Sequence, residues 1–221
     1  MSARDPASSD LYLTDLELTE EERAVREKVR RFCDEQVRPV INGYWEKAEF
    51  PFALLPGLAE NKLADATSFD DAVRVLTAAR PGIAWGALGH AVAAYEAAVR
   101  YSLEREQFGS PLAGHQITQL RLAKMLADVT CMRLICLRLA ELAVLGKVTP
   151  AMASLAKMHN AARAQAVVAE ARDLLGGNGI LLENEVGRHL GDVEVVATVE
   201  GTDVVHALIV GREITGISAF A

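Results

Sequence analysis

From Ile83 to Glu106 the chain is alanine-rich and nearly free of residues that stop a helix. Alanine gives up the least side-chain entropy in a helix, so such a run has few alternatives to one long helix. Pro81 stands just ahead, and proline suits a first helical position because its missing N–H is not needed there. Gln107 to Ala113 holds Gly109 and Pro111 and predicts a loop. Apolar residues then recur at helical spacing from Thr118 to Leu145, through Leu122, Met125, Val129 and Leu142, and stop at Gly146. Thr149-Pro150 opens a third helix, Ala151 to Leu175, closed by Gly176-Gly177. Thr202 is placed to cap a fourth, Asp203 to Thr215. Four helices with short connections predict an all-α fold, an antiparallel four-helix bundle.

Ahead of the bundle, Thr19-x-x-Glu22 forms a capping box, and Val25, Val29, Phe32 and Cys33 follow at helical spacing until Pro39 interrupts. Pro51 precedes a short apolar turn through Phe52, Leu54, Leu55 and Leu58. Asn61 to Ser68 has no clear period and reads as a linker, after which Ser68 and Asp71 are placed to cap a short turn. The expected organisation is an N-terminal helical segment over 1–60, a linker over 61–80 and the bundle over 81–221. Val193 to Val199 is rich in β-branched residues and on propensity alone reads as a strand.

At 221 residues and 51% hydrophobic content, there is enough apolar side chain for one sizeable core or two small ones. A net charge of -7, with no basic stripe, argues against a nucleic-acid partner. Cys33, Cys131 and Cys136 lack metal-ligand spacing; Cys33 and Cys131 sit among helical apolar residues and read as buried free thiols in a reducing compartment. The polar stretch Met1 to Asp10 has neither a signal peptide's apolar run nor a transit peptide's arginines, so a cytoplasmic protein is expected. No apolar run approaches the roughly 20 residues that span a bilayer.

Several chemistries are set aside. No histidine stands three residues after a glutamate, so a di-iron bundle is not expected, and no metal site is predicted. Gly176-Gly177-Asn178-Gly179 follows a helix rather than a strand, against a dinucleotide fingerprint. No Gly-x-Ser-x-Gly elbow occurs. What remains is Glu200-Gly201-Thr202, a carboxylate just ahead of a helix, with Val199 and the Val204-Val205 pair as an apolar setting. Alone, the tripeptide reads as an ordinary helix start with Thr202 as N-cap.

Its company is more specific: Arg105-Glu106-Gln107-Phe108-Gly109, then His115-Gln116, then Leu174-Leu175-Gly176-Gly177-Asn178-Gly179. In this order and spacing the set resembles the C-terminal half of the acyl-CoA dehydrogenase family, nearest its glutaryl-CoA dehydrogenase branch. Leu18 to Pro39 and Phe52 to Ala59 resemble the first two helices of the same enzymes. Between Ala59 and Ala66 the resemblance passes directly from the second helix to the segment leaving the middle β-barrel, so the chain reads as a family member without that barrel and without part of the N-terminal helical domain.

The resemblance implies a flavin-dependent α,β-dehydrogenation of an acyl-CoA thioester, with FAD as cofactor. It makes Glu200 the base, Arg212 a substrate contact, and Arg105, Gln107, Phe108, Gln116, Gly176, Gly177, Thr202 and Asp203 cofactor contacts. Arg212 reads equally well as a cation at a helix end. The resemblance also turns Val193 to Val199 into an extended approach to the catalytic turn, and implies a homo-oligomer, a dimer or tetramer. A second function fits the same residues: a non-catalytic, oligomerising helical protein of acyl-CoA dehydrogenase descent.

Overall fold

The computed structural model describes residues 18–47, 49 and 69–220. They fall into two compact units, one within residues 10–65 and one holding everything from residue 69 onward.

In the smaller unit, helix α1 (Glu20–Phe32) starts at the predicted capping box. The Glu22 amide donates to Thr19 Oγ1 at 3.2 Å, and the Thr19 amide donates to Glu22 Oε2 at 2.8 Å. That backbone donation, with the Thr19 hydroxyl, holds the Glu22 carboxyl below its usual range. Pro39 does not end the helical path, contrary to the sequence expectation. A π turn (Cys33–Val37) intervenes, with the Arg38 amide reaching Cys33 O, and α2 (Arg38–Glu46) begins with Pro39 in its first turn. The wider turn places proline where no N–H is required. The apolar turn expected over Phe52 to Leu58 lies outside the described residues.

The larger unit opens with α3 (Phe69–Glu104), which carries Pro81 inside it. Pro81 was expected at the helix start and 61–80 as a linker; instead the chain is helical from Phe69, while 61–68 lie outside the described residues. A proline inside a helix costs one ladder bond. Here the neighbouring Arg80 is buried and anchored: its Nη1 donates to Ser154 Oγ at 3.1 Å and its Nε to Glu200 O at 3.2 Å. Tertiary packing overrides the local penalty.

After α3 the chain makes a minimal hairpin, β1 (Glu106–Gln107) antiparallel to β2 (Ser110–Pro111), turning through Phe108 at φ 54° and Gly109 at φ 79°. Two positive φ values match the right-handed twist of so tight a hairpin. Then come α4 (Gln116–Val144), α5 (Pro150–Leu174), two short 3-10 turns, α6 (Val186–Thr198) and α7 (Asp203–Thr215). Thr149 caps α5 by accepting from the Met152 amide at 3.2 Å. Thr202 is the N-cap residue of α7, but its side chain makes no capping bond.

Helix α6 overturns both readings, strand and extended approach, over 193–198, and Val199 alone is extended. Val186, His189 and Val193, spaced at i, i+3 and i+7, form one buried face. The helical penalty of β-branched residues is only some tenths of a kcal/mol each. Burying a valine gains more than that, about 1.5 kcal/mol or above. Packing decides.

Helix α5 is the hub, contacted by α3, α4, α6 and α7. The core is built on small residues: Ala84, Ala87, Ala91, Ala94 and Ala98 of α3 are fully buried, as are Ala164 and Ala171 of α5. Asn160 pins three helices together, its Nδ2 lying 3.2 Å from Ala84 O, 3.3 Å from Met132 O and 3.1 Å from Cys136 Sγ. The cysteine expectation is corrected here: Cys33 and Cys131 are exposed, and Cys136 is the buried thiol, pushed up to about 12 by its burial. Cys33 falls in the π turn, where no residue is buried.

In the folded protein, a thiol reagent is expected to modify Cys33 and Cys131 rapidly and Cys136 only after denaturation, read as two labels against three by mass spectrometry. Asn160→Ala is expected to cost roughly 2 kcal/mol in urea unfolding, from its lost hydrogen bonds and the void it leaves.

Candidate functional site

The predicted base sits on the tight turn that joins α6 to α7. The Val199 amide closes α6 on Val195 O at 2.9 Å, after which Glu200 takes φ 60° and Gly201 φ 111°. A left-handed backbone is costly for glutamate, so something must hold it. Two buried cations do. Besides the Arg80 bond to Glu200 O, Lys157 Nζ donates to Gly201 O at 2.6 Å and to Ala197 O at 2.8 Å. Arg80 is 5% exposed and Lys157 1%.

Their charges are answered by carboxylates. Burial pulls the Arg80 guanidinium below its usual range, with Glu200 opposing. Burial also lowers Lys157, with help from Arg80 and against Asp203 and Glu200. Glu200 Oε2 is buried without a hydrogen-bond partner. The apolar setting expected from its valine neighbours is only partly what the turn provides: Val199 and Val204 are exposed, Val205 is half-buried, and the charges of Arg80 and Lys157 act on Glu200.

Behind the turn lies His206, fully buried, with neither ring nitrogen hydrogen-bonded. A Cβ on Gly201 would stand 3.0 Å from His206 Cε1 and 3.1 Å from Nε2. Gly201 therefore serves both the positive φ and the close approach of the ring. Burial first, then Lys157 and Arg80, depress the imidazole to about 4.

Beside the turn a cavity of about 890 Å³ opens between the front of α3, the start of α5 and α7, lined by Leu76, Arg80, Val205, Ile209, Arg212 and Phe220 among others. Arg212 is exposed and faces this cavity, and Arg80 spans from it to the Glu200 carbonyl. Glu200 itself does not line it. Thr202 and Asp203 stand exposed at the α7 start.

The remaining predicted contacts gather elsewhere. A second cavity, about 250 Å³, is lined by Tyr101, Arg105, Gln107, Gly176, Gly177 and Asn178 among others. Asn178 Nδ2 donates to Tyr101 Oη at 2.8 Å, holding the glycine run against α3. Each glycine there has its own reason. Gly176 adopts φ 59°. A Cβ on Gly179 would fall 2.2 Å from Arg172 O, so packing forbids one. Gly177 has neither a positive φ nor any atom within 4 Å of a built Cβ, and the chain's own packing does not demand a glycine there.

Phe108 and Gln116 do not join this cavity. Phe108 is 95% exposed at the hairpin tip, its ring nearly perpendicular to that of His115 with centroids 6.4 Å apart, and Gln116 is exposed at the start of α4. At about 1.5 Å per residue, α3 carries the two cavities roughly 35 Å apart.

Sequence reasoning missed Arg80, Lys157 and His206. One signal was available: Lys157 stands in register with the small, buried face of α5, with Ala153 and Ala161 four residues to either side. It also missed His90, His189 and Asp192, which the fold draws together between α3 and α6.

Family models match across both units: the acyl-CoA dehydrogenase C-terminal domain over residues 69–215 and the N-terminal domain over 19–70. The chain belongs to the acyl-CoA dehydrogenase family. The two matches meet at 69–70, with no residues between them for a further domain. The chain is 33% identical over 146 residues to a 3-(aryl)acrylate reductase of Clostridium sporogenes, covering 66% of this chain and 39% of that protein. It is 36% identical over 142 residues to the mitochondrial short-chain specific acyl-CoA dehydrogenase of Bos taurus, covering 64% of this chain and 34% of that one.

Among solved structures, a glutaryl-CoA dehydrogenase from Mycobacterium smegmatis superposes with TM-score 0.69 at 40% identity, over 71% of this chain and 40% of that one. A glutaryl-CoA dehydrogenase from the same organism in complex with FADH2 gives TM-score 0.69 at 38% identity, with the same coverage. The chain thus spans at most about two fifths of the length of these relatives. Among the described residues no helix is long and apolar enough to cross a membrane.

The His206 environment has a pH signature. Its folded value of about 4 lies below the ordinary 6.5, so the unfolded chain binds the extra proton first. The stabilisation is complete above pH 6.5 and is lost as pH falls toward 4, by roughly 2 kcal/mol. Urea midpoints measured from pH 7 to 4 are expected to fall less steeply in His206→Phe than in the parent protein.

Proposed function

We propose that this chain carries the acid–base half of a flavin-dependent acyl-CoA dehydrogenase, with Glu200 as the base that removes the α-proton of an acyl-CoA thioester. The observation that carries the reading is the Glu200 turn: a carboxylate oxygen, buried and without a partner, on a strained backbone fixed by Arg80 and Lys157. Ordering a base in advance removes the entropy of positioning it at the moment of reaction. Arg212, on the apolar-walled cavity beside the turn, is assigned to the substrate.

The second cavity fits the pyrophosphate of FAD. Arg105 offers a planar five-donor fork, Gln107 an amide, and Gly176 and Gly177 a backbone with open space where side chains would stand. FAD, when bound, supplies the hydride acceptor for the substrate β-carbon. With about 35 Å between the two cavities, Arg105 and Glu200 of one chain belong to different copies of the cofactor, which supports a homo-oligomer, a dimer or tetramer. Phe108, Gln116, Thr202 and Asp203 then serve as contacts completed by a neighbouring subunit or by the cofactor. The exposed free thiols Cys33 and Cys131 support a reducing, cytoplasmic location. The two family matches support a division into an N-terminal helical remnant and the bundle domain.

A second reading, a non-catalytic oligomerising protein of the same descent, is favoured by that junction: nothing lies between 69 and 70 to wall off a flavin ring from water. Flavin content separates the two. A purified protein that takes up FAD and shows a visible flavin band supports the enzyme, and one that stays colourless supports the association role. In the flavin-loaded protein, Glu200→Gln is expected to cut α-proton exchange of a bound acyl-CoA by about 10²–10⁴-fold with flavin content unchanged. Exchange retained in that variant removes Glu200 from the role.

A further inference from the structure

His90 of α3 meets His189 and Asp192 of α6 at a place that neither cavity includes. One ligating atom from each of the three lies within 4.8 Å of the others. His189 and Asp192 are three residues apart and so share one face of α6. The two imidazoles approach edge to face, with centroids 5.1 Å apart at 71°, and their Nδ1 atoms are 2.9 Å apart.

Two nitrogens that ligate one ion fix the angle at it through their separation. For metal–nitrogen bonds of about 2.0–2.1 Å, a 2.9 Å separation subtends close to 90° at the metal. A tetrahedral ion requires the nitrogens about 3.3–3.4 Å apart at the same bond lengths. Right angles between imidazoles are the geometry of tetragonal copper(II) and nickel(II), for which two nitrogens and a carboxylate are a suitable donor set.

The charges agree with a cation. Asp192 supplies negative charge to the group, and the charge of Arg188 acts against it. We propose that His90, His189 and Asp192 form an inter-helical site for a tetragonal divalent transition-metal ion, copper(II) or nickel(II). Bound there, the ion ties α6 to α3, and α6 is the helix that runs into the Glu200 turn.

The test uses the full chain without a polyhistidine tag, with nickel(II) as the probe in titration calorimetry. One equivalent is expected to bind, weakened about a hundredfold by His90→Ala and about tenfold by Asp192→Asn, with His159→Ala unchanged. Nickel(II) is expected to raise the melting temperature of the parent protein and of His159→Ala, but not of His90→Ala. Circular dichroism checks that each variant keeps its helix content. With copper(II), electron paramagnetic resonance is expected to show coupling to two nitrogens in the parent and one in His90→Ala. Binding no tighter in the parent than in His90→Ala overturns the site and leaves the two imidazoles as a hydrogen-bonded pair.

Discussion

Two buried cations gripping backbone carbonyls hold the Glu200 end of this bundle in shape. Taking Lys157 and Arg80 out of water is expensive, and the cost is tolerable only because each finds oxygens: Lys157 those of Ala197 and Gly201, Arg80 those of Glu200 and Ser154. The carbonyls they engage are those that the end of α6 and the turn after it leave without helical partners. The arrangement therefore satisfies a helix terminus and fixes a strained turn with the same atoms. Lys157 sits on α5, the helix that every other long helix touches, so the turn is referenced to the most deeply packed element.

The glycine run at the other end of α5 works by subtraction. A single description, helix stop, covers Gly176 with its left-handed backbone, and close packing against the Arg172 carbonyl covers Gly179. Gly177 falls under neither. Its open surface borders the cavity lined by Arg105 and Gln107, a space that only the folded chain defines.

Much of the fold was legible because its signals are local. The Thr19 capping box, the Thr149-Pro150 start of α5 and the span of α7 each depend on residues within one turn of each other. The misreadings share an opposite cause. The Val193 to Val199 run looked like strand by propensity and became helix because Val186, His189 and Val193 find a core to face. Pro81 looked like a helix start and became an interior residue because Arg80 is anchored to partners far away in sequence. The candidate site divides the same way. Glu200, Arg105 and the glycines were visible as motifs, whereas Arg80, Lys157, His206 and the His90–His189–Asp192 group exist only once separate helices are brought together.

The positive φ of Glu200 bears on how such a turn changes over generations. Glycine at this position relieves backbone strain worth about 1 kcal/mol, and asparagine tolerates the same conformation better than glutamate does. A turn under no chemical demand has a downhill route away from its carboxylate, open to a single substitution. Under the proposed chemistry glutamate is the uphill choice here, and its replacement by glycine or asparagine in a descendant would record the release of that demand before any change in the fold did.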